Sequence, residues 1–241
     1  MTVASTDPDT DDATGTQVPD RPADLTPDDM VFAFREHGYR LFEGHLNLNL
    51  FGIRTGLDAG KWDDWIGALY QDADANWVLE LYQGTTDPSD EWLERGNDAK
   101  GGTAILKAGQ WPGCWLIGLH KGKYPALVQH GAKMTVLRDS DKDSELDVDD
   151  PTLKEDNGYH GINLHRGSAH KALTEEGIGL YSAGCQVICD PSDYAKLWDL
   201  ITASSEKYGD RFSYTLFRWP LFRVENEKPS KEGGRITPGI A

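Results

Sequence analysis

The sequence predicts a mainly β, β-rich α+β fold. Three observations carry that expectation: short apolar stretches broken by Gly, Pro and Asp through the middle of the chain, one amphipathic helix late in it, and polar segments at both ends. Thr26-Pro27-Asp28-Asp29 opens the first helix. Thr26 is a capping residue, Pro27 suits the first helical position, and the two Asp face the positive end of the helix dipole. That helix is expected to reach about residue 36, with Gly38 ending it. Strands are expected over 46–53, 77–82, 115–119, 124–129, 133–137, 161–165, 185–189 and 212–217. After Asp190-Pro191, the residues Tyr194, Leu197, Trp198 and Ile201 fall at i, i+3, i+4 and i+7, one apolar helical face that stops near Gly209.

Between these elements lies an acidic insertion over 139–156. Residues 1–25 form an Asp- and Thr-rich arm, 26–225 a single domain, and 226–241 a polar tail. With 241 residues, 38% of them hydrophobic, and eight Trp, the chain has the material for one real core.

Forty acidic against 24 basic residues give a net charge of −16, which argues against nucleic acid as a partner. Residues 1–30 alone hold eight Asp against Arg21, and the acid excess is consistent with a strongly hydrated, salt-tolerant surface. No apolar run approaches a membrane span, and residues 1–12 lack a basic segment and an apolar stretch. No signal peptide, anchor or membrane partner is therefore expected. Synthesis in the cytoplasm is expected, and any role outside the cell would need another route outward. Three cysteines, Cys114, Cys185 and Cys189, cannot all pair within one chain, and no cluster has zinc-like spacing, so no metal and no cofactor is assigned.

Chemistry concentrates in Gly158-Tyr159-His160-Gly161-Ile162-Asn163-Leu164-His165-Arg166-Gly167 and, further on, Leu180-Tyr181-Ser182-Ala183-Gly184-Cys185. A strand delivers His165 at its end, and 20 residues later a Ser-x-Gly-Cys turn presents a thiol. Gly184 frees the backbone for a tight turn, and such a turn aims N–H groups at a developing oxyanion. An imidazole beside a thiol generates the thiolate nucleophile. No His follows His170, so the base for Cys185 lies upstream. That order excludes papain-like and NlpC/P60-like arrangements for this cysteine. His160 and His170 compete with His165 for the role, but the first precedes the strand and the second falls in a polar connection.

The run Ile162-Asn163-Leu164-His165 followed by Ser182-Ala183-Gly184-Cys185 resembles the L,D-transpeptidase (YkuD-like) signature, in particular a divergent, phage-associated branch of it. Gly84-Thr85-Thr86-Asp87-Pro88 and Val136-Leu137-Arg138-Asp139 also look like that branch. The likeness extends over most of 46–217, with the specific motif confined to 165–187. It implies mixed β-sheets with a few peripheral helices, a cysteine thioester intermediate and a peptidoglycan stem-peptide substrate. Catalytic roles carry over to Cys185 and His165, with Gly184 and Ser182 around the thiol. Arg166, Gly167, Tyr181 and His120 are the expected substrate contacts, Arg166 as a grip for a carboxylate. Ala183 and Gln186-Val187 depart from the family pattern at positions that shape its groove, which favours hydrolysis over transfer to an amine.

Two other readings stand beside this one. Gln110 to Trp115 resembles a papain-like start with Cys114 as nucleophile, although Cys114 leads into a strand-like run. A wall-binding or virion structural protein on the same fold is the non-enzymatic alternative. Asp139-Ser140-Asp141-Lys142-Asp143 has the rhythm of a calcium loop but lacks Gly at the sixth position and Glu at the twelfth, and reads as a solvated acidic loop.

Overall fold

A computed structural model of the protein describes residues 22–174 and 176–222. Strand outweighs helix, 35% to 22%. Eleven strands are found among the described residues: β1 (Asn49–Arg54), β2 (Asp64–Gln71), β3 (Trp77–Thr85), β4 (Thr103–Leu106), β5 (Gly109–His120), β6 (Tyr124–Val128), β7 (Met134–Asp139), β8 (Lys154–Gly158), β9 (Leu164–Arg166), β10 (Gln186–Ile188) and β11 (Arg211–Arg218). Three α-helices accompany them, α1 (Pro27–Glu36), α2 (Asp90–Arg95) and α3 (Pro191–Tyr208), with three single-turn 3-10 helices at Pro22–Asp24, Asp98–Lys100 and Gly179–Tyr181.

Eight strands close into a barrel in the order β1-β11-β5-β6-β9-β10-β3-β2, and β4-β7-β8 make a separate small sheet. Two of the barrel pairings, β1 with β11 and β9 with β10, are parallel. Alternation along β1 explains how the barrel is covered. Leu48 and Leu50 point into the interior cluster with Trp115, Leu127, Leu164 and Ile188, while Phe51 and Ile53 join the Met30 and Phe34 face of α1 outside. Tyr194, Leu197 and Ile201 of α3 enter the same interior cluster, as their spacing predicts.

Both long helices end where the sequence places their ends. Thr26 and Asp29 form a reciprocal capping box, and Asp190 caps α3 by accepting from the Ser192 N–H. Leu25 is 8% exposed and packs with the α1 cluster, and Pro22 is buried, so residues 22–25 belong to the body, not to the arm expected over 1–25. Residues 1–21 and the tail from 223 onward lie outside the described residues.

Strands β2, β4 and β8 and helix α2 are not anticipated by the sequence. β2 is apolar on both sides because it faces the barrel interior and, through Leu69, the α1 cluster, so it lacks alternation. β8 is a polar edge strand that owes its conformation to pairing with β7, and it claims residues 154–156 of the expected insertion. Among the described residues no helix is long and apolar enough to cross a membrane.

Candidate active site

Parallel pairing of β9 and β10 sets Val187 opposite His165 and Gln186 opposite Leu164. The connection between the two strands folds over the outer face, where Leu173 and Ile178 pack on Trp62, Val187 and Cys189, with Cys185 against their edge. His165 and the Cys185 turn, 20 residues apart in sequence, thereby become neighbours.

The turn holds its shape through Ser182. This serine is fully buried, and its hydroxyl bridges the carbonyls of Asp87 (2.6 Å) and Cys185 (2.8 Å) while accepting the Gly184 N–H (3.2 Å). Ser182 is therefore a positioning residue, not one that meets substrate. Gly184 has a φ of +109°, and a Cβ there would lie 2.3 Å from the Ala104 carbonyl oxygen, so the position excludes any side chain. Its N–H, being tied to Ser182, is not available to an oxyanion.

His165 is 2% exposed. Its Nδ1 lies 2.8 Å from the Arg166 carbonyl, an acceptor only, so Nδ1 carries the proton in the neutral ring and Nε2 keeps its lone pair. The Tyr124 hydroxyl lies 3.3 Å from the same carbonyl and 3.2 Å from Nδ1, completing the clamp. His120 stacks on the other face with ring centroids 3.9 Å apart. Burial, followed by the adjacent His120, pushes the His165 imidazolium down to about 3. Nε2 is buried and has no hydrogen-bond partner.

Cys185 is part-exposed, with its thiol donating to the Gly161 carbonyl at 3.4 Å. The sulfur itself sits among packed atoms. Burial raises the thiol, and the Asn163 N–H and Lys121 oppose that rise. At neutral pH the pair is a neutral thiol and a neutral imidazole, and the two do not hydrogen-bond to each other. The loop that receives the thiol is fixed by Gln129, whose side-chain oxygen accepts from the N–H groups of His160 (2.8 Å), Gly161 (2.8 Å) and Ile162 (3.1 Å). Tyr124, Gln129 and Asn163 are thus parts of the site. The sequence puts Tyr124 and Gln129 on an expected strand but does not show these roles, because what they hold is largely backbone.

The remaining expectations separate clearly. His120 is 7% exposed and buttresses His165, where a substrate contact was expected. Gly167 is buried, and a Cβ there would meet Leu173 at 2.8 Å, so it is a packing position and not a substrate contact. Tyr181 is 42% exposed beside Trp62. Arg166 lies over the Tyr124 ring at 4.2 Å and lines a hollow of about 300 Å³ with Tyr194 and Trp198, with no carboxylate partner among the described residues. Gln186 and Val187 are fully buried, Gln186 accepting from the Tyr214 hydroxyl inside the barrel, so neither shapes the groove. Ala183 does: it lines a cleft of about 400 Å³ with Trp92, Lys100, Arg138, Tyr159 and His160.

The competing residues are occupied elsewhere. His160 accepts from Arg138 at Nδ1 (3.0 Å) and meets the Asp156 carbonyl at Nε2 (3.0 Å). His170 is exposed in the connection. Cys114 lies in β5 with no exposure, its thiol pushed up to about 12 by burial, so the papain-like alternative has no accessible nucleophile.

No family model matches this chain, and neither the curated proteins nor the solved structures include a significant match to it.

Proposed function

We propose that this chain is a cysteine-dependent enzyme of peptidoglycan stem peptides, with Cys185 as nucleophile and His165 as its general base. The observation that carries this reading is the buried, unpartnered Nε2 of His165, whose lone pair is fixed by the Nδ1 contact to the Arg166 carbonyl, on a strand that pairs with β10 directly after the rigid Cys185 turn. Because both groups rest neutral, the proton moves during attack. Nε2 takes the thiol proton as sulfur bonds to the acyl carbon, and the Cys185 N–H is the donor left for the oxyanion. The imidazolium, strongly disfavoured by burial, then returns its proton to the leaving amine, and a thioester remains on Cys185. Water or an amine releases the acyl group in a second step.

The stem-peptide assignment rests on the motif resemblance. It is supported by two cations near the site, Arg166 with no carboxylate partner among the described residues on one side, and Lys100 on the other in a cleft where Arg138 is already held by Asp156. With Val187 buried, the preference for hydrolysis rests on the small, exposed Ala183 alone. Mass spectrometry of defined muropeptides incubated with the protein tests all of this. Shortened stem peptides that disappear with Cys185→Ala are expected, and a folded Cys185→Ala protein with the parent's turnover would sink the assignment.

A binding protein on the same scaffold is favoured by one observation, the thiol turned to the Gly161 carbonyl instead of His165. Saturable binding of muropeptides with no thioester formed and no product would select it.

A further inference from the structure

The chain leaves β7 at Asp139 and loops outward before returning as β8. Asp139 is 1% exposed, and neither of its carboxylate oxygens has a hydrogen-bond partner. A carboxylate in that condition is strongly unfavourable unless a positive charge meets it. Instead, Asp141 and Asp147 turn toward it, and one oxygen from each of the three residues lies within 4.8 Å of the others. The neighbouring cations are directed elsewhere: Lys142 pairs with Asp98, and Arg138 with Asp156 across the sheet. Positive φ at Lys142 (66°) and Ser144 (70°) folds the loop back so that Asp147 reaches the cluster. The loop is solvated at Asp141, Asp143, Glu145, Asp149 and Asp150 as the sequence leads one to expect, but its first carboxylate is buried.

We infer that Asp139, Asp141 and Asp147 form a calcium-binding site. All three donors are carboxylate oxygens, which suit a hard divalent cation. Calcium takes oxygens at roughly 2.3–2.6 Å, so two ligands across it stand up to about 5 Å apart, whereas magnesium at about 2.0–2.1 Å allows only about 4 Å. The separations, none above 4.8 Å, all lie within the span that calcium allows. The three ligands occupy the first, third and ninth places of the acidic run. Asp143 and Asp150 instead accept backbone N–H groups of Glu145 and Thr152 and shape the turns. Waters and loop carbonyls would complete the shell, and a hollow lined by Asp58, Ser144 and Glu145 shares Asp147 with the cluster and gives solvent access. Asp139 pairs with Thr103 in register, and Thr103 and Arg138 both line the 400 Å³ cleft. The ion would thus pin the strand end beneath that cleft.

The full chain, stripped with a chelator and dialysed, is titrated with CaCl2 by calorimetry and by thermal unfolding. One ion per chain is expected, with a dissociation constant of about 10⁻⁵–10⁻³ M. At a hundredfold excess over that constant, Tm should rise by about 5 °C or more. Asp141→Asn, a change at an exposed position, should weaken calcium binding about tenfold or more while leaving the calcium-free Tm within about 2 °C. Asp139→Asn should abolish the response without lowering the calcium-free Tm, since it removes a buried unpaired charge. No heat and no Tm shift at about 10 mM calcium would overturn the site. So would an equal shift from MgCl2 at matched ionic strength, or a parental calcium response in both variants. None of these readouts depends on the enzyme's activity.

Discussion

Around Cys185 nearly every polar group has a partner, whereas around Asp139 both oxygens of a buried carboxylate have none. Ser182 shares its one hydroxyl proton between two carbonyls while accepting an N–H, and Gln129 collects three N–H donors. The orphans in that ordered shell are His165 Nε2 and the indole N–H of Trp62, in the cluster against which Cys185 packs. In the acidic loop the relation is inverted, with charges gathered and nothing set against them. His165 and Asp139 each indicate what their site lacks. A neutral nitrogen lone pair waits for a proton, which substrate attack delivers, and an array of anionic oxygens waits for a cation. Unsatisfied buried groups of this kind are informative because folding normally eliminates them.

The largest effects should come from breaking the catalytic side of this comparison. Cys185→Ala and His165→Ala are each expected to reduce muropeptide turnover by about 10³-fold or more, with the double variant scarcely worse, since the two groups act as one unit. Additive losses in the double variant would mean that they act independently. Gly184→Ala should come next, and its effect should fall on stability. Its positive φ and the 2.3 Å approach to the Ala104 oxygen force the turn to move, and a loss of about 3 kcal/mol or more is expected in denaturant unfolding. A change within about 0.5 kcal/mol would show that the turn is slack.

The resting state is read by iodoacetamide alkylation of Cys185 against pH. The thiol is raised above its ordinary value of 9.0, so the reactive thiolate is scarce at pH 7 and the rate should climb about tenfold per pH unit toward 9. His165, lowered to about 3, is already neutral throughout that range and adds no inflection near 6.5. A plateau beginning near pH 6–7 would reveal a preformed thiolate–imidazolium pair and refute the neutral pair. Cys114 and Cys189, both buried, should label far more slowly. The smallest effect belongs to Tyr124→Phe, which removes one of two contacts that orient the imidazole. About a tenfold loss in kcat is expected, with KM and Tm little changed. A change in KM alone would assign Tyr124 to substrate instead.

Local chemistry made part of this molecule readable from its sequence. The Thr26 cap, the helix start after Asp190-Pro191, the Gly209 stop and the glycine before Cys185 depend on residues within a few positions of one another, and the structure realises each of them. The pairing of a histidine strand with a cysteine turn was legible for the same reason, since both lie in short runs of recognisable chemistry. Features resting on contacts distant in sequence were not legible. Strand β8 exists because β7 is beside it, and Gln129, 56 residues before Cys185, matters because three N–H groups converge on its oxygen. Gln186 and Val187 read as groove positions until the barrel turned one inward onto Tyr214 and covered the other with Leu173 and Ile178. Asp139 shows the limit most plainly. Composition marks it as one more solvated acid in an acidic run, and only its register opposite Thr103 at the end of β7 takes it out of water. Sequence determined which groups are present and how the chain bends around them, whereas the closed barrel and the separate β4-β7-β8 sheet decided which of them are dry, and burial is what sets the protonation of His165 and leaves the Asp139 carboxylate in need of a cation.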